Sequence, residues 1–231
     1  MLNYISPDGT SKMYCNGSEH PLYRGKLHGF FSLSIPYGWS IINKKCNNKK
    51  CKIIFSIYMF LSLILYITSY IYHVHSYKYG INVENLFLKL DRSFTMLSIS
   101  SNFLPVCLLF LNKSGKYFLF LQWGICIIGL INIYIFNRTY WYEPIIVGGI
   151  YLLFLDEMKK TMTIYEYKMM HGSCILSLIG GIIYGFEINL PIINRNIWGH
   201  HENFHLCVVI AEIMVYMLNY NMATRISNIN I

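Results

Sequence analysis

Charge is what this sequence has least of. Only 13% of its 231 residues are Asp, Glu, Lys or Arg, against about 25% in a typical soluble domain. Set beside a hydrophobic content of 55%, that scarcity excludes a small water-soluble domain, because a short chain leaves too much surface exposed to hide so much apolar side chain. A CxxC pair is also missing. The seven cysteines (Cys15, Cys46, Cys51, Cys107, Cys126, Cys174 and Cys207) are odd in number, and several lie inside apolar runs. Such thiols act as small buried hydrophobes, which excludes a disulfide framework and a cysteine-based metal site. The polar residues 1–27 lack the pattern of a cleavable signal peptide. There is no repeat and no linker. Nor is there a basic stripe interleaved with exposed aromatics, so the formal charge of +8 does not indicate nucleic acid. Cations scattered through short loops suit lipid headgroups instead.

What is present is a series of long apolar runs. A helix needs about 20 residues to cross the hydrocarbon, or roughly 17 at the short end. Seven stretches qualify, at 28–42, 53–75, 92–111, 117–136, 141–157, 171–190 and 200–220. They lack the two-residue alternation of barrel strands, and only helices or closed barrels satisfy the backbone in lipid. The expected fold is therefore all-α, an integral membrane bundle of seven transmembrane helices over 28–220. A polar N-terminal arm, 1–27, precedes it and a short tail, 221–231, follows. The face carrying the arm has 8 Lys and Arg and the other face 11, which leans weakly towards a cytosolic second face. The sequons at Asn16, Asn112 and Asn137 fall on both faces and do not fix the orientation.

Polar groups within membrane spans are costly, which makes them functional candidates. Three clusters stand out: Ser69 to His73 at the end of the second stretch, Asp91-Arg92-Ser93 at the start of the third, and His200 to His205 at the start of the seventh. Alternating helix direction places all three at one face of the bilayer. His201 and His205 are four apart, as are Ser69 and His73, so each pair shares a helical face. Three histidines, His73, His201 and His205, with an open fourth position make a zinc site of the catalytic type. Zinc brings the pKa of its water to about 7. Asp91 is placed to orient that water and take its proton, and Ser69 to hydrogen-bond the water or a developing oxyanion.

Other readings compete. His20, His75, His171 and His200 suit interfacial positions, and His75 points away from the face of His73. Asp91 beside Arg92 also fits a local ion pair, and Glu187 and Glu212 fit either headgroup contacts or the bundle interior. The run His201-Glu202-Asn203-Phe204-His205 satisfies HExxH, the zinc-protease pattern in which the Glu is general base, with Glu212 as a third ligand. That reading leaves Ser69, His73 and Asp91 without a role.

Taken in order, these motifs resemble the hemolysin III family and the related progestin and adipoQ receptors. Pro21 to His28 resembles the family's PxxRGxxH, Ser69 to His73 its SxxxH, and Leu90-Asp91 its LD. Gly199 to His205 resembles GxHExxH, while Ser101 to Pro105 keeps only the proline of GTYTP. The resemblance runs from residue 21 to about 220. It implies a seven-helix bundle with a cytosolic N-terminus, against the lysine count. It also implies zinc on His73, His201 and His205, with Asp91 and Ser69 close by. The receptor branch commonly replaces the Glu of HExxH by Gln, which argues against Glu202 as an indispensable base.

Three functions are compatible with this reading. The first is a membrane-embedded zinc hydrolase of the ceramidase type, acting on a lipid amide among the membrane lipids around it. The second is a pore-forming cytolysin, a homo-oligomer around an aqueous path. The third is a receptor in which zinc is structural.

Overall fold

A computed structural model describes residues 12–13, 19–111, 113–188 and 197–229. Cys15, the sequon residues Asn16 and Asn112, and the last two positions of the 171–190 stretch lie outside the described residues. In the arm, β1 (Lys12–Met13) pairs antiparallel with β2 (Glu19–His20). Everything beyond is helical: α1 (Lys26–Lys45), α2 (Lys49–Val74), α3 (Ile81–Asn102), α4 (Leu104–Leu109), α5 (Lys113–Tyr134), α6 (Glu143–Gly149), α7 (Leu155–Thr161), α8 (Ile164–Gly185) and α9 (His200–Ile229). Short 3-10 turns occupy Ser76–Tyr79 and Ile150–Phe154.

Local chemistry sets several of these boundaries. Asn48 caps α2, accepting the Cys51 N–H at 2.7 Å. Thr163 opens α8 in a reciprocal capping box with Glu166. The third apolar stretch is broken between α3 and α4, because Pro105 gives the Ser101 carbonyl no N–H and its ring crowds that turn. The fifth is divided among α6, a 3-10 turn and α7. α3 begins at Ile81, well before position 92; its first turns carry Asn, Glu and Lys that a hydropathy reading assigns to a loop. α9 continues to Ile229, with Met222, Ala223 and Ile226 buried against the bundle.

The helices close into a ring. α1 lies on α2, α2 on α3, α3 on α5, α5 on α6, α6 on α8, α8 on α9, and α9 returns to α1. The interior is filled by Phe55, Tyr58, Tyr66 and Phe118, all fully buried. The exterior is apolar: Phe30, Leu33, Tyr37, Phe120, Leu153 and Ile164 are each more than 70% exposed. A soluble monomer rarely shows so much apolar surface, whereas lipid solvates it. Among the described residues, three helices are long and apolar enough to cross a membrane: Lys49–Val74, Lys113–Tyr134 and His200–Asn228.

Candidate metal centre

Closure of the ring carries the start of α9 to the end of α2. His73, in the last turn of α2, meets His201 and His205, one turn apart on α9. One ring nitrogen from each lies within 4.8 Å of the other two. All three rings are buried, with 2%, 9% and 2% exposure.

The nitrogens are arranged as a metal would require. His73 Nε2 and His201 Nε2 are 3.3 Å apart. Tetrahedral ligands at 2.0–2.1 Å from zinc are separated by roughly 3.3 Å. His205 Nε2 is buried with no hydrogen-bond partner, although a buried polar atom is almost always satisfied. An imidazole lone pair left free, beside two others turned toward each other, fits a divalent cation that takes nitrogen donors.

Behind His205 stands a residue to which sequence reasoning gave no role. His28, in the first turn of α1 and 3% exposed, places Nε2 2.9 Å from His205 Nδ1. Its Nδ1 lies 2.8 Å from Ser69 Oγ, and the Ser69 hydroxyl in turn stands beside the Asp91 carboxyl group. The polarity of this chain follows from its ends. Asp91 as a carboxylate can only accept, so Ser69 turns its donor toward it and accepts from His28 Nδ1–H. His28 Nε2 then accepts from His205 Nδ1–H, which leaves the lone pair on His205 Nε2. Metal-binding histidines are commonly fixed in this way by an outer hydrogen bond. The pattern at Pro21 to His28 was the one sequence signal for His28.

Asp91 sits in the middle of α3, because that helix starts roughly 15 Å earlier along its axis. Its contact with Ser69 keeps it beside the cluster. Arg92 donates to the Tyr184 hydroxyl and lies over that ring, 5.0 Å from its centroid. Tyr184 sets its edge against His201 at 5.0 Å.

Glu202, the glutamate of the HExxH string, is turned away from the three nitrogens. It is 1% exposed, pairs with Arg24, and accepts the Gly199 N–H at 2.7 Å. The pair ties the arm to the first turn of α9. Gly25, beside Arg24, has φ 72°, in the region that favours glycine. A Cβ there would collide with that of His73. The arm therefore crosses directly over His73.

The remaining histidines stand apart. His75 follows α2 and contacts Tyr70 at 3.4 Å. His171 contacts Tyr151 at 3.3 Å and stacks on Tyr167, and His200 starts α9 outside the cluster. Glu212 does not join the three histidines either, for Ser62 Oγ donates to it at 2.8 Å deep in the bundle.

No curated protein matches the chain. The family described as "Haemolysin-III related" matches it over residues 20–216, which takes in every residue of the cluster, and this helical membrane protein belongs to that family.

Proposed function

We propose that the chain is a zinc-dependent hydrolase of lipid amides, of the ceramidase type, with all seven helical segments in the bilayer and the N-terminus in the cytosol. The observation that carries the proposal is the free, buried Nε2 of His205 beside the facing nitrogens of His73 and His201. Zinc held there supplies a Lewis acid for a carbonyl oxygen and an acidified water.

The chain's own residues supply the rest. His28 and Ser69 orient His205 and keep its lone pair inward. Asp91 stands beside Ser69, and it would receive the proton that water loses on attacking the amide carbon. Protonation of the departing nitrogen completes C–N cleavage to a carboxylic acid and an amine. The apolar exterior lets a lipid approach from the bilayer. Fully buried aromatic side chains occupy the interior, so a pore would need several copies around a shared path.

The test is metal content and turnover together. Purified protein should hold about one zinc per chain and release amine from a ceramide-like lipid. The variant with His73, His201 and His205 all changed to alanine should fold with neither property. Zinc retained in that variant removes the site. Zinc present and lost with folding, but no lipid amide cleaved, points to a structural ion in a receptor.

A further inference from the structure

Two helical turns below the histidines, roughly 10 Å along α9, lies a second buried polar cluster that the proposed hydrolysis does not use. Its centre is Glu212, 7% exposed. Ser62 Oγ donates to Oε1 at 2.8 Å and Asn102 Nδ2 to Oε2 at 3.4 Å. The Tyr58 hydroxyl donates to the same carboxylate. Ser98 Oγ is 3.4 Å from Ser62 Oγ, and Asn219 lies beside Tyr58.

Three helices contribute by spacing. Tyr58 and Ser62 are four apart on α2, Ser98 and Asn102 four apart on α3, and Glu212 and Asn219 seven apart on α9. Each pair therefore shares a face. All three faces turn into the same interior.

Unlike two other buried glutamates, Glu212 has no cationic partner among the described residues. Glu202 has Arg24 and Glu166 has Arg225. Every group that bonds the carboxylate is a donor. A lone carboxylate in the membrane interior is otherwise expensive.

Oxygen acceptors are left over in the same place. Asn102 Oδ1 has no partner, and both polar atoms of Asn219, 0% exposed, have none. Buried amides are rarely left so. Asn102 is also the last residue of α3, at the break before Pro105. Broken helices in membrane proteins often hold ions at such places.

We infer that Glu212, Ser62, Ser98, Asn102, Tyr58 and Asn219 form a binding site for a monovalent cation, sodium, at mid-depth of the bundle. The donor set is all oxygen and carries one negative charge. That matches a hard cation of single charge and differs from the nitrogen set above it.

The test uses the full-length chain purified in detergent, with radioactive sodium as probe and choline chloride holding ionic strength constant. Wild-type protein should bind sodium saturably, displaced by unlabelled NaCl. Glu212→Gln should weaken that binding at least about tenfold and leave zinc content unchanged; Asn219→Ala should weaken it less. Zinc content, read separately, keeps failure of this site distinct from failure of the histidine site. If Glu212→Gln does not fold, Asn219→Ala and Ser62→Ala decide the matter. Absence of saturable binding in folded wild type overturns the proposal, as does binding that none of the three variants weakens. A carboxylic-acid infrared band that persists in saturating sodium and disappears in Glu212→Gln also overturns it, because Glu212 then carries a proton in place of the ion.

Discussion

The two ends of the bundle treat polar groups in opposite ways. At the histidine end, one buried lone pair is left free. His205 Nε2 has no partner, and its other nitrogen is committed to His28. At the far end, polar groups join helices to one another. Arg225 donates to the Thr161 carbonyl at 3.1 Å and lies 3.0 Å from Glu166, which closes the cap of α8. Asn47 reaches the Ser227 carbonyl at 3.2 Å, and the Cys51 thiol donates to Cys46 Sγ at 3.0 Å. One end leaves a buried nitrogen without a partner, and the other ties its helices together.

Substitutions at each end should separate these roles. The largest effect is expected from His201→Ala, which removes a ligand and should abolish both zinc binding and lipid amide turnover in protein that still folds. Elemental analysis and an amine-release assay check this; full metal content would contradict it. His28→Ala leaves the three ligands and removes their outer support. It should lower zinc affinity by about 10- to 100-fold, measured by chelator competition, and His28→Gln should recover part of the loss. An unchanged affinity would remove His28 from the site.

At the other end Arg225→Ala leaves the buried Glu166 carboxylate without its arginine. It should cost about 1–3 kcal/mol, read as a lower unfolding temperature in detergent, with zinc per chain unchanged. Loss of zinc there would mean that the two ends are not independent. The smallest effect is expected from Cys51→Ser, a thiol–thiol contact worth under about 1 kcal/mol, with zinc content and turnover again as in wild type.

The sequence reveals the bundle better than its joints. Continuous apolar runs locate helices because lipid demands an apolar exterior whatever the interior does. Hydropathy misses the first turns of α3, where Asn82, Glu84 and Asn85 dilute the signal, and it runs through the break at Pro105. The three histidines are legible because His201 and His205 share a face and helix direction sets the depth of His73. The contact of His28 with His205 is not legible in that way. It depends on how α1 is rotated against α9, across the whole length of the chain. The same holds for Arg24 and Glu202, for which the HExxH spacing suggests a catalytic glutamate and the fold supplies an arginine.

Ring closure also dictates when a metal could enter the proposed site. His73 is made early and its two companions near the end of synthesis. A nascent chain that has emerged only through α8 offers one of the three ligands. An ion held by all three would therefore be acquired after translation of the last helix, and a chain stopped short of α9 would sit in the membrane with an open seam between α1 and α8.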